Sequence, residues 1–158
     1  MRKNYLYYLL IILGLFGIDQ ITKFIVDSNM ALGQSITIVD DFFNLTYVRN
    51  TGAGFSILEG QMTFFYVITL VALCFLLYLL FTSNNESKFY ILSILMMIAG
   101  TLGNFYDRIV YQYVIDFLDF IIIGYDFPVF NFADICLTVG VGIYLLVYFI
   151  EFKGEYNA

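Results

Sequence analysis

Four long apolar segments dominate the pattern of hydrophobic and polar positions along this chain. They cover residues 5–26, 62–81, 89–105 and 135–152. Each approaches the ~20 residues that an α-helix needs to cross a hydrocarbon core ~30 Å thick. The pattern therefore predicts four membrane-spanning helices. The polar linker 82–88 is short, so we expect the second and third helices to form an antiparallel hairpin.

The two longer connections, residues 34–60 and 109–131, carry a different pattern. In the first, Ile36, Ile38, Leu45 and Tyr47 have strand-like spacing,. The second is rich in Val, Ile, Tyr and Phe, which favour extended structure,. We therefore predict an all-α polytopic membrane protein with four transmembrane helices. A small β-rich subdomain would lie on the outer membrane face, and residues 1–158 would form a single membrane-embedded domain.

Composition supports a membrane location and excludes several functions. The chain is 61% hydrophobic and 13% charged, with a mean hydropathy of +0.86, which is typical of membrane proteins. Its net charge of −6 excludes a basic nucleic-acid surface,. With no histidine, and with Cys74 and Cys136 inside apolar runs, we expect free thiols, no metal site and no cofactor,.

The cations favour an orientation with both termini in the cytoplasm, since cytoplasmic loops are enriched in Lys and Arg. In that orientation only Arg49 and Arg108 fall in the outer segments. The cytoplasmic cations would be Arg2, Lys3, Lys88 and Lys153. The first span offers no small-residue cleavage site near Asp19, so we expect it to remain uncleaved,.

Carboxylates are concentrated between the third and fourth spans. A charge at bilayer depth costs roughly 2.5–3.5 kcal/mol, so carboxylates beside spans indicate function. Asp107 would leave the membrane and Asp134 would re-enter it at the same outer face, with Asp116 on the connection between them. We therefore expect these three to converge. The full set is Asp107, Asp116, Asp119, Asp126 and Asp134.

Five motifs, in order, resemble those of the lipoprotein signal peptidase (signal peptidase II) family. They are D-x-x-[ST]-K at 19–23, N-x-G-A-x-F-S at 50–56, G-x-x-G-N-x-x-D-R at 100–108, V-V-D-F at 114–117 and P-x-F-N-x-A-D at 128–134. One departure is the absence of the family's usual glycine near Gln112. Glycine permits a positive φ, so this departure leaves the local backbone conformation open.

The resemblance implies an intramembrane aspartyl endopeptidase in the bacterial cytoplasmic membrane. Its substrate would be a diacylglyceryl-modified prolipoprotein, cut N-terminal to the lipidated cysteine, and globomycin-type lipopeptides would inhibit it. Asp116 and Asp134 match the family's catalytic aspartates. Two adjacent carboxylates cannot both ionise cheaply, so they share a proton. One can then deprotonate a water molecule while the other polarises the scissile carbonyl.

Four neighbouring side chains are candidate substrate-binding residues. The amides of Asn50, Asn104 and Asn131 suit the backbone of an extended substrate, and the guanidinium of Arg108 suits bidentate recognition. There are alternatives. Asn131 could cap the fourth span, Asn104 could bond a neighbouring helix, and Arg108 could simply pair with Asp107.

Other polar residues are expected to be structural. Asp19 and Lys23 are four residues apart, so they could form an ion pair inside the membrane,. We expect Asp107 to be structural as well. Gly100 and Gly103 would permit close helix packing.

Three acidic residues, Asp40, Asp41 and Asp126, are expected to be solvated loop charges. Asp119 is the competing catalyst because it follows Asp116 by three residues. In an extended strand this odd offset places the two on opposite faces, so we expect them not to act together.

Two other functions compete with the peptidase. One is a small ion- or proton-coupled carrier that uses Asp19, Lys23, Asp107 and Arg108 as a relay. A carrier should place charges deep in several spans, whereas only the first span has any well inside. The other is a structural module whose acidic loop binds a partner. For the peptidase, one chain supplies both aspartates, so we expect a monomer beside membrane lipids and the substrate.

Overall fold

The computed structural model describes residues 4–52, 58–83 and 87–156, with side chains described as far as residue 150. Arg2, Lys3, the 53–56 part of the second motif and the side chain of Lys153 lie outside this description. The helices are α1 (Tyr5–Asn29), α2 (Met62–Thr82), α3 (Lys88–Tyr111) and α4 (Phe132–Tyr156). The strands are β1 (Ser35–Val39), β2 (Phe43–Asn50), β3 (Val114–Ile122) and β4 (Tyr125–Asp126).

The predicted fold class is confirmed. All four helices are long and apolar enough to cross a membrane, and the strands form one small antiparallel sheet in the order β1-β2-β3-β4. The sheet is built from the two connections that carried the strand pattern. They are the α1–α2 connection and the α3–α4 connection.

Helix α3 is the central helix, and it packs against α1, α2 and α4. Half of its most apolar window is buried, compared with 17% for α1 and for α2. It is also the least hydrophobic of the four, with a hydropathy of 1.5 against 2.7 for α2. The lower hydropathy and greater burial of α3 follow from its surroundings. Lipid surrounds the outer helices, whereas α3 keeps its polar side chains inside the bundle.

Glycines bring α3 and α4 close together, as predicted. A Cβ atom on Gly100 would collide with the Ala133 carbonyl oxygen and lie 2.9 Å from Leu137 Cγ. A Cβ atom on Gly103 would meet the carboxylate of Asp19. The absence of side chains at these positions lets the start of α4 and the polar face of α1 approach the same stretch of α3.

Helix α3 continues past the predicted end of its span at residue 105. It ends at Tyr111, and Gln112 caps it in the left-handed region, with φ 65°. This conformation costs a non-glycine residue about 1–2 kcal/mol. The Gln112 side chain offsets part of that cost by donating to the Tyr66 hydroxyl at 2.7 Å and to the Arg108 carbonyl oxygen at 3.1 Å. A positive φ therefore occurs here without the family's glycine.

The sheet is docked onto the start of α4. The backbone N–H groups of Phe117 and Leu118 donate to the Phe130 carbonyl oxygen at 3.0 and 2.8 Å, and Phe130 N–H donates back to Leu118 at 3.0 Å. These bonds place β3 directly beside the first turn of α4. The motif at 114–117 and the motif at 128–134 therefore meet at this junction.

Two glycines of α4 give a matched test of the packing. A Cβ atom on Gly140 would lie 2.8 Å from Met97 Cγ and 2.9 Å from the Ser93 carbonyl oxygen, whereas Gly142 has nothing within 4 Å. We expect Gly140→Ala to lower the free energy of unfolding in detergent by about 1–3 kcal/mol through overpacking. Gly142→Ala should raise it by about 0.5–1 kcal/mol, because alanine is the better helix former. Equal stability of the two variants would contradict this packing.

Candidate active site

Asp116 lies near the start of β3, paired across the sheet with Val48 of β2. It is 2% exposed. One carboxylate oxygen accepts from Asn131 Nδ2 at 2.6 Å, and the other accepts from Asn50 Nδ2 at 2.9 Å. The carboxyl group is therefore fixed in position by two side-chain amides.

Asp134 lies in the first turn of α4, where it forms a reciprocal cap with Asn131. Asn131 Oδ1 accepts from the Asp134 N–H, and Asp134 Oδ2 accepts from the Asn131 N–H, both at 3.1 Å. This arrangement is a capping box, in which two otherwise unpaired N–H groups at a helix start are satisfied. The other Asp134 oxygen accepts from Asn104 Nδ2 at 2.8 Å.

Asn131 and Asn104 link the two aspartates. Asn131 Nδ2 donates to Asp116 and also to Asn104 Oδ1, at 3.0 Å. Asn104 in turn donates to Asp134. Both proposed alternatives for these asparagines are therefore present, since Asn131 caps α4 and Asn104 bonds a neighbouring helix. The same bonds connect them to the carboxylates of the site.

A buried ion cluster lies behind this amide network. Lys23 Nζ contacts Asp19 Oδ2 and Asp107 Oδ2 at 2.9 Å each, and it donates to Asn104 Oδ1 at 3.0 Å. All three charged side chains are at least 98% buried. The ammonium group thus has three acceptors and leaves no donor unpaired, which is the condition for burying a charge.

The ion cluster also holds the backbone next to each site aspartate. Asp19 Oδ1 accepts from the N–H of Ala133 at 2.9 Å, one residue before Asp134. Asp107 Oδ2 accepts from the N–H of Ile115 at 3.2 Å, one residue before Asp116. Because Lys23 bridges Asp19 and Asp107, a single ammonium group ties the start of β3 to the start of α4.

Sequence reasoning missed one member of this cluster. Gln20 Nε2 donates to Asp19 at 3.0 Å, to Asp107 at 3.1 Å and to the Gly103 carbonyl oxygen at 3.4 Å. A polar residue beside Asp19 inside an apolar span was the available signal. The D-x-x-[ST]-K motif leaves position 20 unspecified, so the motif does not identify Gln20.

Asp116 and Asp134 line one cavity of about 370 Å³, which we call the helix cavity. Its walls come from β2, β3, the segment 127–130 and three helices, including Thr69 of α2 and Leu137 of α4. Both polar and apolar side chains line it. The cavity is large enough to admit a short extended peptide segment together with a water molecule.

Arg108 contacts this cavity without pairing to Asp107. Its guanidinium donates to the Gly52 carbonyl oxygen at 3.0 Å and to the Asn104 carbonyl oxygen at 3.3 Å, and it lies over the ring of Phe65. Arg108 Nε is buried and has no hydrogen-bond partner among the described residues. The site therefore holds a charged donor with unused capacity.

The environment of Asp116 favours its protonated form. Burial, together with the negative charge of Asp134, raises the pKa of Asp116 to about 7. The hydrogen bonds from Asn50 and Asn131 and the charge of Lys23 oppose this rise but do not cancel it. A carboxyl group that titrates near neutral pH can take part in proton transfer under physiological conditions.

Asp126 is exposed in β4, in line with the expected solvated charge, and Asp119 is half-buried in β3. Both line a second cavity together with Asp116. Pairing between β2 and β3 shifts register between Leu45 and Val48. The extra residue of this bulge lies in β2,.

The other candidates lie as follows. Asp40 and Asp41 are exposed in the β1–β2 turn, as predicted. Cys74 is exposed and Cys136 is buried, and neither forms a disulfide. Among the residues that the structure describes, no three His, Cys, Asp or Glu side chains are grouped so as to hold a metal ion.

Comparisons with known proteins assign the chain to a family. The family model for signal peptidase (SPase) II matches residues 11–150. The chain is 40% identical over 146 residues to the lipoprotein signal peptidase of Listeria monocytogenes serotype 4a (strain HCC23), covering 92% of this chain and 95% of that protein. This chain belongs to the signal peptidase II family. It is also 43% identical over 143 residues to the lipoprotein signal peptidase of Staphylococcus aureus (strain JH9), covering 89% of this chain and 88% of that one.

Solved structures agree with this assignment. A bacterial membrane enzyme solved at 2.3 Å resolution matches with a TM-score of 0.89 and 38% identity, covering 94% of this chain and 91% of that chain. A second, solved at 1.9 Å, matches with a TM-score of 0.82 and 40% identity, covering 90% and 92%. The signal peptidase II chain is thus a multi-pass bacterial membrane protein and an aspartic-type peptidase. The predicted family and enzyme class are confirmed, and the carrier hypothesis is set aside.

Removal of the buried ammonium group tests the ion cluster. We expect Lys23→Met to lower the free energy of unfolding in detergent by about 3–5 kcal/mol, because it leaves two carboxylates buried without a counter-charge. Adding Asp19→Asn should restore part of that loss by removing one of the two uncompensated charges. Lys88→Met, at the exposed start of α3, is the control and should unfold like the parent. If Lys23→Met matched Lys88→Met in thermal unfolding, the cluster would not be holding the site together.

Proposed function

We propose that Asp116 and Asp134 are the catalytic dyad of this signal peptidase. They would hydrolyse the peptide bond N-terminal to the diacylglyceryl-modified cysteine of bacterial prolipoproteins. One observation carries the proposal. The two carboxylates line a single cavity and are bridged by Asn131, which donates to Asp116 and exchanges capping bonds with Asp134.

The environments of the two carboxylates suggest different roles. Asp134 accepts N–H donation in the first turn of α4, where the helix dipole favours a negative charge,. Asp116 is buried in β3 with a pKa near neutrality. We assign the shared proton at rest to Asp116 and the ionised form to Asp134. Asp134 then has the free electron pair that a general base needs.

The reaction follows from this division. Asp134 takes a proton from a water molecule, whose oxygen attacks the scissile carbonyl carbon. Asp116 donates its hydrogen bond to the carbonyl oxygen and supports the negative charge that develops there. The proton held by Asp134 passes to the departing amine nitrogen as the C–N bond breaks. The pair ends as it began, with Asp116 protonated and Asp134 ionised, and the new carboxylic acid loses its own proton to water.

Three polar side chains are placed to hold the substrate backbone. Arg108 and Asn104 line the helix cavity beside the dyad, and Asn50 lines its other side. The terminal nitrogens of the Arg108 guanidinium carry more N–H groups than their two carbonyl acceptors use, so they can also donate to a substrate carbonyl,. A helical segment has its backbone groups already paired, so the scissile region must bind in an extended conformation. Asn131 serves mainly to orient the carboxylates.

The lipid of the substrate has a candidate position on α4. An apolar groove of about 280 Å³ lies along one side of this helix, and Asp134 is among the residues that line it. The groove is lined by Phe127, Phe130, Asp134, Ile135, Thr138 and Val139. Because the acyl chain comes from the bilayer and not from water, close packing against the groove would hold it there. This would direct lipidated cysteine to the dyad.

The membrane orientation, the inhibitor site and the oligomeric state are proposed from the same residues. Lys88 lies at the opposite end of α3 from the site, which fits cytoplasmic termini and an active site at the outer face,. A globomycin-type lipopeptide would compete for the helix cavity and the apolar groove. A monomer is sufficient, because both aspartates come from one chain.

Conservative variants of the dyad test the proposed chemistry. We expect Asp116→Asn and Asp134→Asn each to lower kcat/KM for a diacylglyceryl-prolipoprotein by at least about 10³-fold, since neither amide can exchange the proton. Asn at 134 can still accept from Asn131, so the cap and the fold should persist. The control is Asp41→Asn in the exposed β1–β2 turn, where asparagine tolerates the positive φ of 55°,. Full activity in either folded site variant would disprove the dyad.

Filling the groove tests the position of the lipid. Val139→Trp should raise KM for the lipidated precursor about tenfold or more, because the indole would occupy the space assigned to an acyl chain. Val141→Trp on the same helix is the control, since Val141 is exposed but does not line the groove. Cleavage of an unlipidated precursor as efficiently as the lipidated one would show that the groove does not bind lipid.

A further inference from the structure

The turn between β3 and β4 is an exposed apolar part of the sheet. It consists of Ile123 and Gly124, and the flanking residues Ile122 and Tyr125 pair with each other across the hairpin. Ile123 is the most exposed large apolar side chain among the described residues, and Ile122 and Tyr125 are exposed as well. None of the residues 120–125 carries a charge. The hairpin therefore ends in an apolar tip.

The backbone of this turn does not favour an isoleucine. Ile123 has φ 53° and Gly124 has φ 74°, so both central residues are in the left-handed region. Two-residue hairpin turns with this backbone prefer Asn-Gly or Asp-Gly, and a β-branched residue at positive φ is strained. Asparagine would suit both the backbone and a watery surrounding better than isoleucine does. The side chain of Ile123 therefore points to an apolar surrounding at the tip.

The base of the hairpin lies beside a membrane span. The N–H of Phe127 donates to the Phe120 carbonyl oxygen at 2.9 Å, so Phe127 continues the hairpin past β4. Phe127 also lines the apolar groove of α4, together with Val139. Val139 lies about two turns into the fourth span, which begins at Phe132,. The hairpin is thus continuous with the surface that the fourth span presents to lipid.

The neighbouring turn limits how deep the sheet can lie. Strands β2 and β3 are antiparallel, and the N–H of Ile121 donates to the Phe42 carbonyl oxygen at 2.9 Å. The β1–β2 turn therefore lies at the same end of the sheet, but it carries the exposed carboxylates of Asp40 and Asp41. Carboxylates are costly at bilayer depth. Since the chain passes from β4 into α4, the apolar turn is on the span side of the sheet and the acidic turn is farther away.

We propose that the β3–β4 turn inserts into the membrane leaflet on the side where the sheet lies, while the β1–β2 turn stays in water. Ile122 and Ile123 then contact acyl chains, and Tyr125 lies at the boundary with the headgroups, where tyrosine is enriched. The turn is a membrane anchor in addition to the four spans, and it holds the β4 edge of the sheet beside α4. This inference does not depend on the proposed cleavage reaction.

Fluorescence quenching by lipid tests the depth of the turn. The chain contains no tryptophan, so Tyr125→Trp introduces a single reporter and keeps an aromatic side chain at this position. The full chain is reconstituted into phosphatidylcholine vesicles whose acyl chains are brominated near the headgroup end. We expect these lipids to quench Tyr125→Trp at least about twice as strongly as Asp40→Trp, the control in the neighbouring acidic turn, because quenching requires contact with the brominated chains.

A second variant isolates the contribution of Ile123. Ile123→Asn, added to Tyr125→Trp, should reduce the quenching by about half, because interfacial binding scales with the apolar area that enters the lipid. Asparagine tolerates the left-handed backbone of this position, so the turn and the fold should persist,. Circular dichroism of each variant checks the fold.

Two results would overturn the proposal. Equal quenching of Tyr125→Trp and Asp40→Trp would place the two turns at the same depth. Quenching of Tyr125→Trp that Ile123→Asn leaves unchanged would show that Ile123 does not contact lipid. If Tyr125→Trp does not fold, Ile123→Trp becomes the reporter, and it must be quenched more strongly than Asp40→Trp for the proposal to stand.

Discussion

The site depends on one buried ammonium group held between two carboxylates. Lys23 of α1 binds Asp19 and Asp107, and through them it fixes the backbone of Ala133 and Ile115. Those two residues immediately precede Asp134 and Asp116 in the chain. Two carboxylates that repel each other need an external constraint to remain close. In this signal peptidase the constraint is an ion cluster one layer behind the cavity.

The two aspartates come from different kinds of structure, and this division gives them different environments. Asp116 is on a strand, and Asp134 is in the first turn of a helix. Hydrogen bonds between Phe130 and residues 117–118 join the sheet to the helix start. The helix start favours a charge, whereas burial in the strand raises the pKa of Asp116 to about 7. The fold thereby gives the two carboxylates different electrostatic surroundings.

Much of this arrangement could be predicted from the sequence. The spans follow from hydropathy, and the topology requires residues 107 and 134 to meet at one membrane face. The ion pairs of the site and the register of the sheet depend on tertiary contacts that no local pattern encodes. Arg108 could have paired with Asp107, but Lys23 lies closer to that carboxylate in three dimensions and takes its place. The register shift in β2–β3 pairing is likewise not visible in the sequence.

The electrostatic coupling of Asp116 to Asp134 can be measured by ¹³C NMR of aspartate-labelled protein in detergent. We expect the carboxyl carbon of Asp116 to titrate near pH 7. We also expect Asp134→Asn to lower the pKa of Asp116, because the variant removes the like charge that helps to raise it,. Titration of Asp116 at the ordinary value of 3.8 in the parent, or a pKa unchanged by Asp134→Asn, would contradict the account.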